Sequence, residues 1–203
     1  MRARTTLVVV FAAFFGLGGL VLGVTMVHAA APPLSPTVVL SIPWGSDVGQ
    51  VGYRVLQEDG WQGPSTFAVT EDSIYIVDRL NSRLQVFGFD GQVRQVIPLV
   101  PDIAEHPYEI EVIGKAVYVA HYDIDQAPGI SVLRNGSWHE VRLERLVSGF
   151  DGWLHLSRTQ EGNLAVRRDV PPEEDTPGVP RWVILNAADA LVGQRGLESQ
   201  VVV

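Results

Sequence analysis

Residues 63–91 read GPSTFAVTEDSIYIVDRLNSRLQVFGFDG. Two short runs rich in β-branched and aromatic residues, 74–77 and 84–87, are separated by polar residues, and Asp90 and Gly91 follow the second run. Runs of this length and composition predict β-strands, and an Asp-Gly pair supplies the positive φ angles of a hairpin turn. No amphipathic helical stretch follows Thr37, so the sequence predicts an all-β fold.

The same pattern recurs along the chain. Runs similar to 74–77 start at residues 117 and 164, runs similar to 84–87 start at 130 and 182, and the turn residues Asn135 and Gly136 follow the run at 130. The starts at 74, 117 and 164 are 43 and 47 residues apart. A unit of this length with four strands is the size of one β-propeller blade. The sequence therefore predicts β-propeller-like four-stranded blades at about 63–100, 106–143 and 149–197, preceded by an N-terminal strand at 37–42.

The first unit carries the most specific motif. Asp78 ends its second strand, and Asn81-Ser82-Arg83 precedes its third, so residues 63–91 resemble one complete NHL repeat. His121 and Arg168 stand at the position of Asp78 in the later units, and neither unit has the Asn-x-Arg motif. The resemblance implies a β-propeller that binds proteins or ligands at one face, with Asp78 and Arg83 tying the turn to a neighbouring blade.

The predicted number of blades does not decide whether the propeller ring is closed. Propellers typically close with four to eight blades, and three are predicted here. A truncated propeller, an open arc that dimerises and a degenerate small ring all fit this number. An open arc would expose strand edges and self-associate. The regularity of the first unit predicts the slowest amide exchange at 74–77 and 84–87, and the fastest at 191–203.

The N-terminus predicts export. Arg2 and Arg4 precede an apolar run at 7–27, so residues 1–29 are predicted to form a hydrophobic helix that serves as a signal peptide or a membrane anchor. A proline-rich tether follows at 30–36, and the expected location is extracytoplasmic. Cleavage would reduce the 15 basic residues by two, to 13 against 23 acidic residues, and change the net charge from −8 to −10. Nucleic acid is an unfavourable partner for this charge, and the absence of cysteine excludes disulfides.

The connections between second and third strands become longer from the first unit to the third, and the face that carries them is the predicted binding surface. Its candidate binding residues are Arg79, Asn81, His106, His121, Asp123 and Asp125. The sequence contains no serine nucleophile elbow, His-Glu-x-x-His motif or phosphate-binding glycine loop, so a non-catalytic protein- or ligand-binding scaffold without a cofactor is the favoured interpretation. Calcium at His121, Asp123 and Asp125 is the alternative. It would imply a metal-dependent hydrolase or lyase, as in related six-bladed propellers.

Overall fold

The structure is a computed structural model that describes residues 9–12, 23–26, 40–56, 60–123, 127–143, 153–169 and 181–195. The chain divides into two units, Met1–Val38 and Val39–Val203. In the first unit, strand β1 (Val9–Ala12) pairs antiparallel with β2 (Gly23–Met26), and a helix is not shown. The predicted tether at 30–36 and most of 1–29 lie outside the described residues. No helix within the described ranges is long and apolar enough to span a membrane.

The second unit is all-β, as predicted. It begins with the bridge between Trp44 and Val51 and with a hairpin of β3 (Arg54–Leu56) and β4 (Gly60–Gln62). Residues 40–42, the described part of the predicted strand at 37–42, are not in a strand. The described helical segments of this unit, apart from Leu143, are a 3-10 turn (Arg79–Asn81) and helix α1 (Pro101–Glu105).

Three four-stranded antiparallel sheets follow, and each is a meander in sequence order. The first sheet contains β5 (Thr66–Val69), β6 (Ser73–Asp78), β7 (Arg83–Gly88) and β8 (Val93–Pro98). The second contains β9 (His106–Ile113), β10 (Ala116–Tyr122), β11 (Pro128–Arg134) and β12 (Ser137–Val141). The third contains β13 (Trp153–Arg158), β14 (Leu164–Asp169), β15 (Trp182–Leu185) and β16 (Leu191–Arg195). These strands include all the runs that the repeat predicts.

The tight turns use the predicted residues. Asn135 and Gly136 have φ angles of 50° and 79° between β11 and β12, and Gly91 has a φ of 79° between β7 and β8. Asn and Gly tolerate the left-handed conformation that a two-residue hairpin loop requires. The turn residues thereby fix the strand register, which decides the sheet face on which each apolar side chain lies.

The second sheet is packed on both faces. Val119 and Leu133 belong to an apolar core shared with the first sheet, whereas Ile130 and Val132 belong to a core shared with the third. Strand β9 lies next to both β5 and β13, so the first strands of the three sheets are neighbours. Each sheet therefore packs against the next in the order of the chain.

The two-sided burial of the second sheet predicts its exchange behaviour. We expect the slowest amide exchange in β10 and β11, because exposing these central strands requires separation from two neighbouring sheets. Hydrogen–deuterium exchange resolved by strand measures this. Slower exchange in β6 and β7, which the sequence pattern favours, would instead show that local regularity outweighs burial by neighbouring sheets.

Candidate functional site

The side chain of Asp78 organises the turn at the end of β6. It is fully buried, with 0% of the residue exposed. Its Oδ1 accepts a hydrogen bond of 2.8 Å from the backbone N–H of Gly52, and its Oδ2 accepts bonds of 2.9 Å from Arg83 Nε and 2.8 Å from Asn81 Nδ2. Each carboxylate oxygen therefore has a hydrogen-bond donor, as a buried charge requires.

Arg83 and Gln85 extend this contact to the segment before the first sheet. The Arg83 guanidinium donates to the backbone carbonyls of Ser46, Asp47 and Gln50 at 2.8–2.9 Å. Gln85 Oε1 accepts a bond of 3.0 Å from the Gly49 N–H. We call Asp78, Asn81, Arg83 and Gln85 the polar clamp. It holds residues 45–52 against the first sheet.

The clamp requires a close approach of the backbone at Gly52. A Cβ atom added there would lie 2.6 Å from Leu80 Cβ and 3.0 Å from Asp78 Oδ1. Only glycine allows its N–H to reach the carboxylate without displacing these atoms. The described contacts of Asp78 and Arg83 are thus bonds within the fold, made to the segment before the first sheet.

The structure brings His106, His121 and Asp123 to one end of the second sheet, since His106 pairs with Tyr122, and it places Arg79 and Asn81 in the 3-10 turn of the first sheet. Asn81 is engaged in the clamp and also donates a bond of 3.0 Å to the Gly45 carbonyl. His106 is exposed at the end of α1, whereas Arg79 is half-buried in the 3-10 turn of the first sheet. Asp123 accepts a bond of 2.8 Å from the Ala127 N–H within its own loop. Asp125 lies outside the described residues.

His121 is a core residue rather than a surface ligand. It is 4% exposed, and its Nε2 lies 3.0 Å from Ser131 Oγ. Burial lowers the pKa of the imidazole, and the Tyr122 backbone and the surrounding carboxylates oppose this only in part. Over the described ranges, no group of three or more His, Asp or Glu side chains is arranged to hold a metal ion.

An aromatic group lies where β10 ends and β13 begins. The rings of Tyr108, Tyr122 and Trp153 are in mutual contact, with centroids 5.0–5.2 Å apart, and we call them the aromatic rim. The Tyr108 hydroxyl accepts a bond of 3.1 Å from the Leu154 N–H, and burial raises the pKa of Tyr108. Trp153 is 55% exposed, so two tyrosines support an indole that is open to solvent.

Acidic side chains flank this rim. Trp153 pairs with Asp169 in the β13–β14 register, which places the Asp169 carboxylate at the same end of the sheet. His155 lies between two carboxylates, with Nδ1 3.2 Å from Glu109 Oε2 and Nε2 3.6 Å from Asp169 Oδ2. The arrangement offers an aromatic surface beside negative charge, a combination that favours cations.

These residues lie at the end of the second and third sheets that carries the predicted loop face, but the sequence analysis did not name them. Tyr122 and Asp169 end the second strands, and Trp153 opens a first strand, so all three adjoin the predicted loop face. The sequence does show aromatic and acidic residues at matching strand ends, and this pattern could have drawn attention to them. It does not show that they contact one another, because that contact joins two sheets.

The comparisons with known proteins do not identify a family. Neither the protein-family models nor the curated proteins give a match. Among solved structures, the chain is similar to a crystal structure of a protein of unknown function from Bacteroides caccae, with 16% identity and a TM-score of 0.40. The match covers 64% of this chain and 47% of that one, so the chain spans about half the length of that protein. This likeness establishes neither a shared fold nor a function.

The polar clamp predicts a large loss of stability on removal of its carboxylate. Asp78→Ala leaves Arg83 Nε and the buried N–H of Gly52 without the carboxylate that accepts from them, so we expect the free energy of unfolding to fall by about 3–5 kcal/mol. Chemical denaturation measures this. Asp72→Ala is the control, because Asp72 is exposed and lies 3.8 Å from Arg94; its cost should be far smaller than that of Asp78→Ala. Equal effects of the two substitutions would show that the clamp does not stabilise the fold.

His121 predicts an acid-sensitive component of stability. Its pKa is lower in the folded chain than in the unfolded chain, so the unfolded chain binds the proton more readily as pH falls. We expect stability to be lost as pH falls through the ordinary histidine range, by at most about 1.4 kcal/mol per pH unit.

The measurement is the free energy of unfolding against pH, compared between the parent protein and His121→Gln. The variant should show a smaller loss between neutral and mildly acidic pH. Leu156→Ala, a buried apolar substitution, controls for reduced stability alone and should keep the parent slope. An unchanged slope in His121→Gln would contradict the assignment.

Proposed function

We propose that the chain is an exported, non-catalytic binding scaffold whose three sheets are consecutive blades of an NHL-like propeller. The support is architectural: four-stranded meanders pack face to face in chain order, and their first strands are neighbours. Propeller blades combine these two features. The apolar run near the N-terminus supports the extracytoplasmic location.

The aromatic rim is the observation that carries the binding function. A tryptophan that is 55% exposed, supported by two tyrosines and flanked by Glu109 and Asp169, gains more from a ligand than from solvent. An indole face and a carboxylate both attract an ammonium or guanidinium group. The binding partner of this surface is therefore a protein segment with exposed lysine or arginine side chains.

No specific observation favours the calcium-dependent alternative. In the part of the chain that the structure describes, His121 is buried against Ser131 and no three-ligand group is present. Self-association through open strand edges stays a prediction of the partial-ring interpretation. A sedimentation measurement at several protein concentrations tests it, since an associating arc would grow in mass with concentration.

Binding of a basic peptide tests the scaffold function. We expect the full chain to bind a lysine-rich peptide more tightly than a glutamate-rich peptide of equal length. Trp153→Ala should weaken this binding about tenfold, the scale of one desolvated cation–π contact and its packing. Fluorescence anisotropy of the labelled peptide measures both. Rising salt should weaken binding, because part of the attraction is between charges.

Trp44→Ala is the matched control. Trp44 is 58% exposed and also contacts a tyrosine, Tyr53, with ring centroids 4.9 Å apart, but it belongs to the segment before the first sheet. Its substitution should leave peptide affinity unchanged. Equal affinity of the parent protein and Trp153→Ala, or tighter binding of the glutamate-rich peptide, would exclude the rim as the binding surface.

A further inference from the structure

A cleft lies between the second and third sheets. It has a volume of about 520 Å³, within the range of small-molecule sites. The second sheet contributes Lys115, Tyr118 and Arg134, and the third contributes Arg158, Leu164 and Asn186. Its lining includes the turns between first and second strands and between third and fourth strands. It therefore lies at the opposite end of these sheets from the aromatic rim.

One wall of the cleft is a fixed polar network. The guanidinium of Arg134, in the second sheet, donates to both carboxylate oxygens of Asp189, in the third, and to the Tyr118 hydroxyl. The Asp189 carboxylate raises the pKa of Arg134 through these bonds. A bidentate Arg–carboxylate pair is geometrically specific, so it holds the two sheets in one relative position. Arg134 and Asp189 neutralise each other, so Asp189 does not offset the charge of the other cations of the cleft.

The turn that carries Asp189 is itself fixed. Asp189 has a φ of 58°, and its N–H donates a bond of 2.9 Å to the Asn186 carbonyl. The Asn186 side chain accepts bonds from the N–H groups of Ala188 and Ala190 at 2.9 and 3.1 Å. These bonds fix the edge of the cleft before a ligand binds, which reduces the entropy lost on binding.

Two exposed cations face this cleft from opposite sheets. Lys115 lies in the β9–β10 turn and Arg158 ends β13. Neither has an ion-pair partner among the described residues. Arg158 does act on the Glu111 carboxyl, whose pKa burial raises against the opposing effect of the guanidinium. An unpaired lysine and arginine stand out on a chain of net charge −8, because its surface is otherwise predominantly acidic.

Apolar side chains complete the lining. Ile113 and Ala116 come from the second sheet and Leu164 from the third, so the cleft has an apolar wall beside its positive charges. Small-molecule sites combine an apolar surface with a few polar groups that fix orientation. A ligand that fits both parts has an apolar body and an anionic group.

We propose that this cleft binds a small organic anion, with its phosphate or carboxylate between Lys115 and Arg158 and its apolar body against Ile113 and Ala116, which are only partly buried. Lysine and arginine both donate to either anionic group, so the two head groups share the same recognition chemistry. The site is independent of the basic-peptide site, from which it differs in sheet end, charge and ligand.

The test uses phenyl phosphate, benzoate and inorganic phosphate as probes of the full chain, kept in solution with mild detergent. Titration calorimetry measures affinity, and amide NMR locates binding. We expect phenyl phosphate or benzoate to shift the amides of Gly114, Lys115, Gly162 and Asn186. The tighter of the two identifies the head group. Inorganic phosphate should bind more weakly than phenyl phosphate, because it cannot use the apolar wall.

Charge variants test the assigned residues. Lys115→Gln and Arg158→Gln should each weaken binding of the tighter organic probe about tenfold, whereas Arg158→Lys should restore most of the affinity. Both side chains are exposed, so far-UV circular dichroism and thermal unfolding should stay at parent values. Arg94→Gln is the control, since Arg94 is an exposed arginine of the first sheet.

Three results would overturn the proposal. These are the absence of amide shifts at the cleft up to millimolar probe, equal affinity of inorganic phosphate and phenyl phosphate, and unchanged binding in both Gln variants. Trp153→Ala should leave phenyl phosphate binding intact. Failure of the basic-peptide site and failure of this cleft are therefore distinguished by different probes and different variants.

Discussion

The packing of the second sheet between the first and third sheets is the constraint on which the second unit of this chain depends. Its central strands contribute apolar side chains to both faces: Val119 points to one core and Val132 to the other, and both are fully buried. A strand buried on one face alternates apolar and polar residues, whereas one buried on both faces is apolar almost throughout. Strand β10 shows the second pattern, with buried residues from Val117 to His121. Each of the two outer sheets therefore shares an apolar core with the second sheet.

Sequence patterns predicted the strands because strand formation here is local. Runs such as 74–77 have β-branched and aromatic residues between turn residues, and Asn135 and Gly136 adopt the positive φ angles expected of them. Helix α1 was not predicted, because its five residues are too few for a periodic pattern. The segment 45–52 has no strand pattern, and its position follows from the clamp, whose partners are 26 to 37 residues away in sequence. Contacts of this range cannot be read from local periodicity.

The candidate sites show the same difference between local features, which the sequence predicts, and contacts between distant segments, which it does not. The loop face was predicted from the lengthening connections, yet Asn81 and His121, chosen for their chemistry, are engaged within the fold. Polar residues at strand ends are ambiguous in a sequence, because a buried hydrogen-bonding role and a ligand-binding role select the same residue types. The aromatic rim and the cleft each combine residues of two sheets. Such a combination depends on how the sheets pack, and alignment of one repeat on another does not show it.

One position of the repeat explains why the sequence resemblance weakens along the chain while the architecture does not. Asp78, His121 and Arg168 lie at or next to the end of the second strand in their sheets, and all three are buried, at 0%, 4% and 1% exposure. Asp78 accepts a hydrogen bond from the Gly52 N–H in the segment before the first sheet, whereas His121 bonds to the Ser131 side chain on the paired strand. Burial of a polar side chain is repeated at this position, but the residue and its bonding partner are not. A motif defined by the aspartate and arginine of the first sheet must therefore fade in the second and third sheets, even though each retains the four-stranded meander.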